Sequence, residues 1–160
     1  KEAVMQPGAW TFGIMGFGEI LPDPANRFTL DYENLDQWGL PTLTFETKFR
    51  DNEMKMREDM KSAAVEMLEA AGFKDIVGYD NPSQHGIGLG IHEMGTARMG
   101  ADSKTSVVNK NNQVHGCANV FVTDGAFMTS AACVNPSLTY MAFTARAANF
   151  AAEQLKKGLL

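Results

Sequence analysis

Apolar and polar residues alternate with a period of two in three runs among the first fifty positions. These are Trp10-Thr11-Phe12-Gly13-Ile14-Met15, Arg27-Phe28-Thr29-Leu30-Asp31 and Thr42-Leu43-Thr44-Phe45-Glu46-Thr47. Such a period predicts strands with one face buried. Breakers separate the runs: Pro22-Asp23-Pro24 follows Ile20-Leu21, and Gln37-Trp38-Gly39-Leu40-Pro41 lies between the second and third. Turns at such short intervals favour antiparallel pairing.

After residue 50 the period lengthens. Asp51 or Asn52 is suited to cap a helix, and Met56, Met60, Ala63, Ala64, Met67, Leu68 and Ala71 then recur at intervals of three and four as one apolar face. Gly72 stands where a left-handed residue ends a helix. The methionines read as core filler rather than thioether ligands. Residues 79–119 are rich in Gly, Asn and Ser and hold all three histidines, with Gly95 to Gly100 a candidate passage between two lobes. Asn119-Val120-Phe121-Val122-Thr123 predicts a short strand buried on both faces, ended by Asp124-Gly125. A last helix runs from Pro136 towards Lys157, with Leu138, Met141, Ala142, Ala145 and Ala148 set to face a packed neighbour. Gly158 suits its C-terminal cap, and Lys156 and Lys157 complement its dipole. The predicted class is α+β, an antiparallel sheet with packed helices.

Composition narrows the function. The 160 residues are 44% hydrophobic, enough for one core or two small lobes. Nineteen acidic against 14 basic residues leave a net charge of -5, and the longest basic cluster is Lys156-Lys157. That argues against a nucleic-acid partner, which requires concentrated Lys and Arg. No apolar run approaches the ~20 residues of a transmembrane helix. The expectation is a soluble protein, cytoplasmic or periplasmic. Cys117 and Cys133 lack CxxC spacing and read as ordinary reduced thiols. The first residue is not Met, which points to a mature product or a domain of a longer chain.

Several chemistries fail on spacing. His92-Glu93-Met94-Gly95-Thr96 resembles half of HExxH, but Thr96 stands where the second histidine belongs, so no zinc site of that type forms. His85, His92 and His115 have no spacing that forces a metal. A GxGxxG fingerprint fails from Gly86 and from Gly88, because Ile91 and Glu93 occupy its last position. Gly13, Gly16 and Gly18 have the wrong order, and no Walker sequence is present. The chain therefore lacks a self-sufficient nucleotide site.

Other residues carry a structural and a functional reading side by side. His92 follows the glycine-bearing run Gly86 to Ile91, which would set a titratable side chain at the end of a strand; a histidine satisfied inside the fold is the plainer reading. Asn135-Pro136-Ser137 suits a helix cap followed by a first-turn proline. The same helix start offers unpaired amides and positive potential to electron-rich atoms, and Asn135 could donate to a substrate oxygen. Asp124 is either a turn residue or a contact to a cofactor hydroxyl. Trp10, Tyr32 and Trp38 could stack on a sugar or simply pack.

Three ordered stretches resemble the C-terminal signature of the glucose-methanol-choline (GMC) oxidoreductase family. They are His92-Glu93-Met94-Gly95-Thr96-Ala97-Arg98-Met99-Gly100, Asn119 to Gly125, and Asn135-Pro136-Ser137-Leu138-Thr139. Met141 to Ala148 and Leu21 to Arg27 resemble the family as well. The resemblance implies a C-terminal part of a FAD-dependent enzyme that oxidises an alcohol, a sugar or polyol CH-OH, by hydride transfer to flavin. Residues 1–92 would belong to the substrate lobe, and 93–160 would return to complete an α/β FAD-binding lobe. It implies His92 as the base that takes the hydroxyl proton, with Asn135 as a hydrogen-bond donor to the same oxygen. Asp124 and Gly125 would approach the ribityl-pyrophosphate part of FAD, while Asn135, Pro136 and Ser137 would meet the flavin, Ser137 through its amide. Hydride leaves carbon as the oxygen becomes alkoxide-like, so a base and a donor at that oxygen are what the reaction needs.

The family's glycine-rich ADP-binding unit is missing from this sequence. The implied partner is therefore the N-terminal FAD-binding region of the same enzyme, besides a small alcohol or sugar substrate. The isolated chain is expected to hold FAD weakly or not at all. The alternative is a non-catalytic module of this fold that binds a carbohydrate or a protein.

Overall fold

The computed structural model describes residues 2–81, 84 and 86–160; His85 lies outside the described residues. Its sheet is one antiparallel hairpin, β1 (Arg27–Leu35) and β2 (Pro41–Glu46). Two helices, α1 (Asp51–Ala70) and α2 (Ser137–Lys156), are accompanied by 3-10 turns at Glu2–Met5 and Gly125–Phe127. The class is α+β. Two compact units form: one joins the chain up to Ile20 to Phe49–Asn81, and the other joins Leu21–Lys48 to the chain from position 82 onward. None of the described helices is long and apolar enough to cross a membrane.

The first unit is organised by α1. Glu53, 2% exposed, accepts a hydrogen bond from the Arg50 amide at 2.9 Å and so closes the helix start. The N-cap is thus Arg50, neither Asp51 nor Asn52. Gly72 does take a left-handed φ of +84° at the other end. Residues 16–18 run close along the helix, since a Cβ at Gly18 would stand 2.5 Å from Met56 Cε and one at Gly16 3.0 Å from Met60 Sδ. Phe12 stacks on Phe73 with centroids 5.3 Å apart. Arg57 bridges to Asp80 with two nitrogens and lies 4.7 Å over the Phe49 ring. The packed face is therefore rotated from the expected one. Met56, Arg57, Met60, Lys61, Ala64, Val65 and Leu68 are half-buried, whereas Ala63, Met67 and Ala71 are exposed. Long Arg and Lys stems cover apolar surface as readily as a methionine does.

The run Trp10 to Met15 is not a strand, and Trp10 is 99% exposed. An alternating pattern gains ladder bonds only where a second strand lies beside it. The other two alternating runs do pair. Phe28 stands opposite Phe45 and Leu30 opposite Leu43, giving the hairpin an apolar face; Thr29 opposite Thr44 and Arg27 opposite Glu46 give it a polar one. Both faces are largely exposed, so the expected burial of one face is not met among the described residues.

The second unit has its core where residues 98–127 meet α2. Val108, Phe127 and Ala147 are buried, Phe127 lies 4.9 Å from the Phe143 ring, and Phe121 lies 6.3 Å from Phe150. Asn119 to Thr123 is not a strand buried on both faces. It contributes one isolated bridge, Phe121 to Gln113, and Val120 is exposed. Single bridges between Met99 and Val108 and between Val108 and Val114 knit the rest of this stretch. Its apolar side chains turn instead towards one helix.

That helix packs with the opposite side from the one expected. Tyr140, Phe143, Ala147, Phe150, Ala151 and Gln154 face inward, while Leu138 is 79% and Met141 64% exposed. The reason is that α2 is apolar on both sides, so its pattern cannot say which side meets its own chain.

Candidate active site

His92 is half-buried and is delivered by a tight turn, not by the end of a strand. Glu93 Oε1 accepts from the Gly90 amide at 2.8 Å and closes that turn. Within it, Ile91 has φ +53°, a left-handed conformation that a β-branched side chain disfavours. Strain of this kind persists only where the surroundings enforce it.

The residues after His92 lie against the Asp124-Gly125 turn. Ala97 N donates to Ala126 O at 2.9 Å and Met99 N to Phe127 O at 2.8 Å. A Cβ at Gly125 would stand 2.4 Å from Met94 Sδ, so glycine there lets the two segments touch. Gly95 has φ +88°, a backbone angle that favours glycine. Two motifs whose bonded residues stand 29 and 28 positions apart therefore form one hydrogen-bonded patch.

Asp124 is exposed, and one of its carboxylate oxygens accepts from the Ala126 amide at 2.9 Å. It caps the 3-10 turn Gly125–Phe127, which gives its structural role a definite content. The preceding carbonyl, Thr123 O, lies 3.1 Å from the Thr144 hydroxyl of α2.

Asn135 is exposed and does not cap α2; Pro136, which is buried, is the N-cap, and no side chain accepts from the first turn. Proline offers no side-chain acceptor. The amides of Thr139 and Tyr140 donate to Pro136 O at 2.9 and 3.3 Å, whereas those of Ser137 and Leu138 have no partner among the described residues. No hydrogen bond joins Asn135 to His92. A depression of ≈ 470 Å³ is lined by Met99, Gly100, Ala101, Asn109, Lys110 and Asn111, and none of the predicted site residues lines it.

A sequence profile described as GMC oxidoreductase matches residues 22–144, which takes in the His92 turn, the Asp124-Gly125 turn and the start of α2 together. The chain belongs to the GMC oxidoreductase family. It is 34% identical over 140 residues to a 2-methyl-1,2-propanediol dehydrogenase of Mycolicibacterium austroafricanum, covering 86% of this chain and 24% of that protein. It is 32% identical over 159 residues to the fructose dehydrogenase large subunit of Gluconobacter japonicus, covering 98% and 28%. A pyranose 2-oxidase of Tricholoma matsutake is 28% identical over 158 residues, covering 92% and 24%. The chain spans about a quarter of the length of these curated relatives.

Residues that the sequence did not single out also build this GMC patch. Met94 fills the space beside Gly125, while Asn112 and Arg146 tie the loop before Asp124 to α2. Only a weak signal announced them: asparagine is among the residues that tolerate a left-handed backbone, and Asn112 has φ +62°.

Proposed function

We propose that this chain is the C-terminal, substrate- and flavin-contacting part of a FAD-dependent oxidoreductase that oxidises a sugar or polyol CH-OH. The observation that carries the reading is the hydrogen-bonded patch joining the stretch after His92 to the Asp124-Gly125 turn and, through Thr144, to α2. Three relatives named as acting on a diol, fructose and pyranoses support the substrate class.

The residues present fit a flavin in one testable respect. The open amides of Ser137 and Leu138 at the α2 start present donors and positive potential to an electron-rich edge. Asp124 and Gly125 would flank the ribityl-pyrophosphate part, with Pro136 holding the turn into the helix. Bound FAD supplies the hydride acceptor. His92 takes the hydroxyl proton as the C–H bond breaks, which raises the electron density that expels hydride. Asn135, whose carboxamide is not spent on the helix, donates to the same oxygen as it acquires negative charge.

Residues 1–92 contribute to the substrate lobe and 93–160 to the flavin lobe. The partner is the N-terminal FAD-binding region of the same enzyme. Support for that partner comes from the exposed Leu138 and Met141 of α2 and from the exposed Phe28, Leu30, Leu43 and Phe45 of the hairpin, side chains that a partner surface would cover.

The test is anaerobic stopped-flow reduction of the complete FAD-loaded enzyme by sugars and polyols. His92→Ala should slow flavin reduction by about 10²–10⁴-fold. An unchanged rate would sink the catalytic assignment and favour a binding module.

A further inference from the structure

Asn112 is a polar residue with no exposed surface. Burial of a carboxamide is costly unless its donors and acceptor find partners. Here the donor and the acceptor reach two different segments. Asn112 Nδ2 donates to Val122 O at 2.9 Å, and Val122 N donates to Asn112 O at 2.9 Å, so side chain and backbone grip the same residue. Asn112 Oδ1 lies 3.4 Å from Arg146 Nη2 on α2, and that nitrogen also donates to Lys110 O. The Arg146 guanidinium sits 4.3 Å over the Phe143 ring, which packs on Phe127 just beyond the Asp124-Gly125 turn.

The left-handed backbone at Asn112, φ +62°, closes the turn in which Asn112 N donates to Asn109 O and Asn109 N to Gln113 O. Two residues after Val122 comes Asp124. The connection from helix to turn therefore runs Arg146, Asn112, Val122, Asp124, with Thr144 to Thr123 O as a second tie.

We propose that Asn112 is a positioning residue that fixes the Asp124-Gly125 turn relative to α2, so that the two cofactor-facing elements act as one rigid piece. This rests on the flavin reading above. Asn112 touches neither cofactor nor substrate; it acts through Val122.

The test uses the complete enzyme, prepared apo and titrated with FAD. Asn112→Gly keeps the left-handed backbone and the main-chain bonds of Asn112 N to Asn109 O and of Val122 N to Asn112 O while deleting the carboxamide. Arg146→Met keeps an unbranched apolar side chain on α2, deletes the guanidinium and its donors, and changes an exposed residue, so it folds even where Asn112→Gly does not. Leu68→Ala, in the other unit, serves as a control that lowers thermal stability without touching this connection. Both test variants should weaken FAD binding by about tenfold or more and alter the visible circular dichroism of the bound flavin. Leu68→Ala should change neither, at an equal or larger loss in melting temperature. Wild-type FAD affinity and flavin dichroism in both test variants would overturn the proposal and leave Asn112 as a packing residue. A wild-type enzyme that binds no flavin would instead overturn the flavin reading itself, and this proposal with it.

Discussion

The two helices are equal in length and opposite in how their ends are used. At α1 the buried Glu53 carboxylate closes the helix start on the Arg50 amide. At α2 the start is Pro136, which has no side-chain acceptor to offer, and the Ser137 and Leu138 amides are left open among the described residues. The same contrast holds along their sides. The first helix meets its own chain through one face that mixes methionines with Arg and Lys stems, whereas the second is apolar on two sides and uses only one of them internally. A helix finished within its own unit is a stability element. An open amide end and an unspent apolar side are the features that the proposed flavin and N-terminal region would use.

That contrast can be broken by substitutions at the two helix starts. The largest effect is expected at α2. Asn135→Ala in the complete enzyme should slow flavin reduction by about 10²–10³-fold while leaving the melting temperature close to wild type, because the residue caps nothing and its proposed role is to donate to the reacting oxygen. Stopped-flow reduction together with differential scanning calorimetry separates the two quantities. A large drop in stability with an unchanged rate would reverse the comparison.

Glu53→Ala should do the opposite. Loss of a capping interaction costs about 0.5–2 kcal/mol, so chemical unfolding should shift to lower denaturant, while flavin reduction by bound substrate keeps its wild-type rate. A change in that rate would mean the α1 start is tied to the chemistry after all.

The smallest effect is expected at the hairpin. The Asn34 side-chain amide, followed by the Asn34 and Glu33 main-chain amides, holds the Asp31 carboxyl below the ordinary carboxylate range. A depressed carboxyl contributes stability above its unfolded pKa and loses that contribution as pH falls through the lowered folded value. Asp31→Asn should therefore lower stability slightly at neutral pH, leave it close to wild type in acid, and so flatten the acid limb of the stability-versus-pH curve; the effect is small because Asp31 lies in water. An acid limb identical in wild type and variant would show that these hydrogen bonds do not persist in solution.

Which elements were legible in the sequence follows from what each one needs. Both helices and the hairpin strands could be read because their patterns are local: a period of three to four between Met56 and Leu68, and an alternation in Phe28-Thr29-Leu30 answered by Leu43-Thr44-Phe45. The run Trp10 to Met15 carries the same alternation and forms no strand, since pairing depends on a neighbour that an isolated pattern cannot supply. Asn119 to Thr123 has the composition of a buried strand, but its residues are spent separately, Phe121 on Phe150 and Val122 on Asn112.

The sequence by itself determined the family and the α+β class, because ordered motifs such as His92 to Gly100 and Asn135 to Thr139 survive in one dimension. Tertiary structure alone decided that the stretch after His92 lies against Asp124-Gly125, that Pro136 and not Asn135 starts α2, and that α2 packs by its Phe143–Phe150 side. Those outcomes depend on contacts between residues tens of positions apart. Where a helix is apolar on both sides, or a glycine's value lies in the atom that approaches it, only the packed neighbour makes the choice.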